Sequence, residues 1–68
     1  MLRQIKRDKF GGLTLGNDNL HCGEVLQVLV PTDYEGAELV ETRLEMADDW
    51  FFIGMSDIDV AGCFAKRV

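Results

Sequence analysis

The stretch that decides the fold is Val40-Glu41-Thr42-Arg43-Leu44-Glu45-Met46, followed at once by Ala47-Asp48-Asp49-Trp50-Phe51-Phe52. Apolar side chains and one threonine occupy every second position of the first seven, and charged side chains stand between them. Successive side chains of a strand point to opposite faces, so this period of two predicts a β-strand with one buried face. The short acidic turn and the aromatic run after it predict a tight hairpin.

A helix over 35–47 is the competing interpretation, because Glu, Ala and Leu are good helix formers. Leu39, Leu44 and Met46 do not fall on one helical stripe, however. The period of two holds for seven consecutive residues, which favours the strand.

Working outward, the apolar run 25–30 predicts a central strand that is buried on both faces and ended by Pro31. A last strand is predicted over 60–65, with Gly62 as a candidate bulge. Turn-forming residues recur about every 8–12 positions, a spacing typical of all-β domains. The sequence therefore predicts an all-β or mainly β fold, a small five-stranded SH3-like or OB-like antiparallel barrel.

The chain has 68 residues and is 47% hydrophobic, which predicts one folded domain over 1–68. A chain this short buries only about 60% of its unfolded surface. There is no room for separate catalytic and cofactor domains, so a small binding module is expected.

Charge is sorted by position along the chain. Residues 10–65 hold eleven of the twelve acids and one basic residue, Arg43, so this body carries −11 + 1 = −10. Four basic residues lie in the first nine positions, which predicts that 1–9 is a basic N-terminal arm or an edge strand.

Neither a membrane span nor a secreted scaffold is predicted. The longest apolar run, Trp50-Phe51-Phe52-Ile53, is far shorter than the ~20 residues that a spanning helix needs. No apolar core of a signal peptide follows the basic start. Cys22 and Cys63 are expected to be thiols in a reducing compartment, so we expect a cytoplasmic protein.

The sequence offers one alternative metal set, His21, Cys22 and Cys63, which could bind zinc with Glu24 or water as a fourth ligand. It lacks a C-x-x-C pair, so ordinary thiols and no cofactor are the favoured interpretation. A thiol nucleophile is disfavoured because His21 directly precedes Cys22, and neighbours in a strand point apart. No catalytic set remains, and we expect no enzyme.

Arg43 and the aromatic run each have two interpretations. Arg43 should pair with Glu41, Glu45 or a carboxylate on a neighbouring strand; the alternative is an arginine anchor at an interface. One or two of the rings of 50–52 should fill the core, and the sequence does not say which is left exposed.

Three pieces carry a family resemblance: the segment 20–28, which reads L-x-C-G-E-x-x-x-V, then Thr42-Arg43-Leu44-Glu45, then the turn into Trp50-Phe51-Phe52-Ile53-Gly54. Together they resemble a family of short bacterial proteins of unknown function found largely on plasmids, conjugative elements and phages. The resemblance covers roughly residues 20–67. It implies a small β-barrel and a mobile-element origin, and it implies no activity.

The acidic body predicts the partner. Outward residues two apart in a strand lie about 6.6–6.8 Å apart, so a row of carboxylates presents a regular anionic surface that suits a basic nucleic-acid groove. Together with the mobile-element origin that the resemblance implies, this surface leads us to expect a non-enzymatic, anti-CRISPR-like inhibitor that binds a nucleic-acid-handling host protein such as a defence nuclease. The residues expected at this surface are Asp33, Glu35, Glu38, Glu41, Arg43, Glu45, Asp48 and Asp49.

Two alternatives stay open at this point. One is a plasmid or phage accessory factor that binds nucleic acid or a regulatory protein, although the negative body disfavours direct nucleic-acid binding. The other is a small acidic structural domain whose charge only keeps it in solution. Unpaired edge strands could also allow a homodimer.

Overall fold

The structure, a computed structural model, describes residues 1–33 and 36–68, and these residues form an all-β fold. The class predicted from the sequence is confirmed, but the described residues form seven strands rather than five. The strands are β1 (Arg3–Arg7), β2 (Leu13–Leu15), β3 (Asp18–Leu20), β4 (Val25–Pro31), β5 (Ala37–Met46), β6 (Trp50–Phe52) and β7 (Phe64–Arg67).

The strands pair antiparallel in the order β3-β2-β1-β7-β4-β5-β6. The sheet curls as a half-barrel, with the three-residue strands β3 and β6 at its two ends. Side chains link the curled sheet at one end: the Trp50 indole Nε1–H donates to the Gly11 carbonyl at 3.0 Å. In a closed barrel the two end strands would be joined by backbone hydrogen bonds. Here β3 and β6 are short, and a side-chain hydrogen bond takes the place of that ladder.

The N-terminal segment, predicted as an arm or an edge strand, is the interior strand β1 between β2 and β7. Ile5 is fully buried at its centre, while the basic side chains on either side remain exposed. Strands β2 and β3, which were not predicted from the sequence, place Leu13, Leu15 and Leu20 in the same core. The N-terminal third of the chain is therefore part of the fold.

Strand β4 is buried on one face only, which corrects the prediction of burial on both. Leu26 and Val28 are fully buried, whereas Val25, one position before Leu26, is 43% exposed. The sheet has a single core face, so alternate residues of β4 point away from the core. Pro31 is the last residue of β4, as predicted.

The last strand begins later than predicted. Residues 60–63 form a turn, in which the Cys63 N–H donates to the Val60 carbonyl at 3.1 Å, and β7 starts at Phe64. Gly62 has a φ of 104° within this turn. Gly62 is therefore a turn residue rather than a bulge inside a strand.

The β5–β6 hairpin follows the prediction, and the helix over 35–47 is excluded for 37–46, which are strand β5. Met46 pairs with Trp50 across the turn. Thr42 and Leu44 are buried, and the Thr42 hydroxyl donates to the Ile53 carbonyl at 2.8 Å. The core of the described residues comprises Ile5, Leu13, Leu15, Leu20, Leu26, Val28, Leu44, Phe52, Val60 and Ala65.

Candidate partner-binding surface

Strand β5 carries the middle of the predicted acidic surface. It is ten residues long, which corresponds to about 30 Å at ~3.3 Å per residue. Thr42 and Leu44 face the core, so alternation places Glu41, Arg43 and Glu45 on the opposite face. These three side chains form a row along the outside of the sheet.

Arg43 neutralises part of that row. Its Nε lies 2.7 Å from the Glu45 Oε2, which is one of the pairings the sequence predicts. The row of Glu41, Arg43 and Glu45 therefore has a net charge of −1 rather than the −2 of its acids alone. Because the Arg43 side chain is about half exposed, the pair contributes at most ~1 kcal/mol.

At the β5–β6 turn, Asp48 and Asp49 have different surroundings. The Asp49 carboxylate accepts a 2.8 Å hydrogen bond from the Trp50 backbone N–H and lies 3.3 Å from the Arg7 guanidinium. The Trp50 hydrogen bond and then Arg7 hold the pKa of Asp49 below its usual value. Asp48 is exposed and forms no ion pair with any residue that the structure describes.

The other acids lie at the opposite end of β5. Glu38 belongs to β5, where it pairs with Val30. Asp33 and Glu38 are both exposed and make no ion pair within 1–33 and 36–68. Glu35 lies outside the described residues. The predicted site is thus not one compact patch: its unpaired acids lie at two ends of β5 about 30 Å apart, and alternation places Glu38 on the face opposite Glu41, Arg43 and Glu45.

The three candidate zinc ligands are not gathered. Cys22 is exposed in the turn before β4, and Cys63 is half-buried. The Cys63 thiol donates a hydrogen bond to the Asp59 carbonyl oxygen at 3.0 Å. Burial and then the Asp59 charge raise the pKa of the Cys63 thiol. His21 is exposed. Among the described residues no group of three or more His, Cys, Asp or Glu side chains could hold a metal ion.

The structure adds an ion pair that the sequence did not indicate, between Glu24 and Arg67. Glu24 also accepts a 2.7 Å hydrogen bond from the His21 backbone N–H. Partial burial raises the pKa of Glu24, but these two hydrogen bonds and the nearby positive charge outweigh it and leave the pKa below its usual value. The only available signal was the acid at the end of the L-x-C-G-E segment, whose basic partner is 43 positions away.

A family model for a domain of unknown function, DUF5348, matches residues 1–63. The chain belongs to the DUF5348 family. No curated protein and no solved structure matches it. Membership agrees with the resemblance to a family of unknown function; the mobile-element origin stays a prediction. Among the described residues of this DUF5348 chain, no helix has the length and apolar character needed to cross a membrane.

The DUF5348 fold also exposes apolar side chains that the sequence reasoning did not single out. Phe52 fills the core and Trp50 and Phe51 are half-buried, but Phe64 and Leu39 are 46% and 44% exposed. A groove of about 480 Å³ opens beside Phe64, lined by Leu29, Pro31, Ala37, Ile58, Asp59, Gly62, Cys63 and Phe64. Alternation in β7 was the available signal, because buried Ala65 places Phe64 on the opposite face.

Proposed function

We propose that this DUF5348 protein is a non-enzymatic protein-binding module of a phage or other mobile element. It inhibits a nucleic-acid-handling protein of the bacterial host, in the manner of an anti-CRISPR protein. Strand β5 and the acids at its two ends occupy a basic groove of a defence nuclease and obstruct the loading of nucleic acid. The protein acts in the host cytoplasm.

The observation that carries the proposal is the presence of unpaired acids at both ends of β5. Asp33 and Glu38 at one end, and Asp48 at the other, have no cationic partner within the described residues. Their charge is therefore available to a partner. Grooves that bind nucleic acid distribute their cations along a charged backbone, and an extended acidic rod is complementary to that distribution.

The spacing sets the kind of partner. The Debye length at physiological salt is about 8 Å, so acids about 30 Å apart act as two separate contacts. A small basic patch engages only one end. A partner whose cations extend over about 30 Å engages both, which favours a nucleic-acid groove over an isolated cluster of lysines.

The experiment uses the full chain immobilised on a resin, bacterial lysate at low salt, and purified CRISPR-type nucleases offered in parallel. The expected result is capture of a nucleic-acid-handling protein that is released by high salt and by competing DNA or guide RNA. With a purified nuclease, the protein should slow the loading of nucleic acid in a gel-shift assay.

Matched variants localise the contact. Replacing Glu38 by Gln together with Asp48 by Asn removes one charge from each end of β5 and should weaken capture at least tenfold. The control pair, Asp18→Asn with Asp57→Asn, removes the same charge elsewhere and should leave capture unchanged. Equal loss in both pairs indicates a non-specific charge effect and contradicts the proposed surface. The absence of any basic partner at low salt contradicts the function itself.

A further inference from the structure

The face of the sheet opposite the core is self-complementary over three neighbouring strands, β7, β4 and β5. The register of the strands places Lys66 beside Gln27, and Gln27 beside Glu41. Alternation puts all three on the outer face, because Val28, Leu26 and Ala65 point into the core. One row across the face therefore consists of the Lys66 ammonium on β7, the Gln27 amide on β4 and the Glu41 carboxylate on β5.

The next row on the same face is apolar. Leu29 pairs with Leu39, and the β4–β7 register continued by one residue places Phe64 on the other side of Leu29. Phe64 and Leu29 line the groove of about 480 Å³, while Leu39 projects from β5 outside its lining. Across this row, Phe64 of β7 and Leu39 of β5 stand on either side of Leu29, which belongs to the central strand β4.

A two-fold axis parallel to β4 exchanges the two sides of both rows. Rotation about such an axis brings the β7 side of one sheet over the β5 side of the other. Lys66 then meets Glu41 of the second copy, and Phe64 meets Leu39 of the second copy, each twice. Gln27 and Leu29 meet their own equivalents on the axis. An isologous dimer needs this kind of self-complementary patch.

We infer that a second copy of this chain docks on the outer face of β7, β4 and β5, with its Leu39 seated at the groove beside Phe64. Charge complementarity selects this occupant. Lys66 and Glu41 form no ion pair with any residue that the structure describes, although each has its counter-charge two strands away, about 10 Å across the sheet. The rotation supplies both missing partners at once.

The size of the face sets the affinity. Three strands about 4.8 Å apart and seven residues of about 3.3 Å give a face of roughly 14 by 23 Å. A standard interface covers about 800 Å² per partner, which is about one sixth of the 4755 Å² accessible surface of this chain. The face covers about 320 Å² per partner, less than half of a standard interface, so the dimer should be weak, with a dissociation constant on the order of tens of micromolar.

This inference goes beyond the proposed function and does not depend on it. The dimer covers Glu41 in the middle of β5, whereas Asp33, Glu38 and Asp48 lie at the ends of β5, outside the two rows, and stay accessible. It also differs from pairing through the edge strands, because β3 and β6 take no part.

The test is sedimentation equilibrium of the full chain from about 1 to 200 μM, with circular dichroism to show that each variant is folded. The wild-type chain should pass from monomer to dimer across this range. Lys66→Glu alone and Glu41→Lys alone each oppose like charges and should be monomeric throughout. The control Lys9→Glu changes the charge by the same amount outside the face and should dimerise as the wild type does.

Mixing the two single variants is the decisive measurement. In a mixed pair both opposed sites carry opposite charges, so an equimolar mixture should form a heterodimer although neither variant dimerises alone. The double variant Lys66→Glu with Glu41→Lys should dimerise by itself. A wild-type chain that stays monomeric at 200 μM overturns the inference. A dimer that survives both single substitutions also overturns it, since its interface would lie elsewhere, for example at an edge strand.

Discussion

Glu24 joins two distant parts of the chain through one carboxylate. It accepts hydrogen bonds from the His21 backbone N–H, which fixes the turn before β4, and from the Arg67 guanidinium at the end of β7. Its side chain is only 22% exposed, less than the carboxylate of the Asp49 pair at 64%. Of these two long-range ion pairs, Glu24 with Arg67 therefore contributes more to stability.

Replacing Glu24 by Gln should lower the free energy of unfolding by about 1 kcal/mol at pH 7. The folded pKa of Glu24 lies below its unfolded value, so its contribution is present above the ordinary carboxyl range and lost as the pH falls through the folded pKa. The difference between wild type and variant should therefore shrink towards pH 3. Urea denaturation at pH 7, 5 and 3 measures it, with Asp18→Asn as the control; a difference independent of pH would contradict the assignment.

At the scale of elements, the turn at 60–63 decides where β7 begins. Gly62 has a φ of 104°, its N–H donates to the Ile5 carbonyl at 2.7 Å, and the Cys63 carbonyl accepts from the Ile5 N–H at 2.7 Å. The turn is thus fastened to β1 on both sides of Ile5. A side chain of L configuration is strained at this φ even though no atom stands within 4 Å of where its Cβ would lie.

The chain is short enough for chemical synthesis, which allows a matched pair of substitutions at Gly62. L-alanine should destabilise the protein by about 1–2 kcal/mol, because it disfavours a positive φ. D-alanine has the same volume and favours a positive φ, so it should leave stability unchanged or raise it. Thermal unfolding followed by circular dichroism compares the two. Equal destabilisation by both would mean that the Cβ itself, not the backbone conformation, is the cause.

The alternation of 40–46 was sufficient to predict β5, its buried face and the turn into β6, because those features are local. The same local reasoning named Glu45 as one of the candidate partners of Arg43, and these two residues lie two positions apart on one face. β1 was not predicted as an interior strand because it contributes one fully buried side chain, Ile5, within a basic segment. The basic residues of this segment led to the prediction of an arm or an edge strand, because one apolar residue gives no clear strand pattern.

The remaining features depend on contacts between distant positions. The ion pairs of Arg7 with Asp49 and of Glu24 with Arg67 join residues 42 and 43 positions apart, and no sequence period reports such a separation. The self-complementary outer face likewise required the register of three strands that are not consecutive in the chain. The acids of the candidate surface were identified from composition, but their separation into two ends of β5 followed only from the strand length.

At the scale of the whole molecule, stability should depend on a small number of large side chains. A chain of 68 residues has about 3–10 kcal/mol of folding free energy at typical values per residue. Phe52 is among the largest fully buried side chains, and it joins the end strand β6 to the core through its pairing with Leu44. Because few other fully buried side chains are as large, the loss of Phe52 would remove a large part of the buried apolar surface.

Replacing Phe52 by Ala should cost about 3–5 kcal/mol, a large share of the folding free energy, because it removes buried apolar surface and leaves a cavity. Phe52→Leu retains most of the volume and should remain folded with a cost of about 1–2 kcal/mol. The neighbouring Ile53 faces outward and is 45% exposed, so Ile53→Ala should cost less than about 1 kcal/mol. Urea denaturation followed by Trp50 fluorescence at micromolar concentration measures all three. If Ile53→Ala proved as costly as Phe52→Ala, the difference in burial between these two side chains would be contradicted.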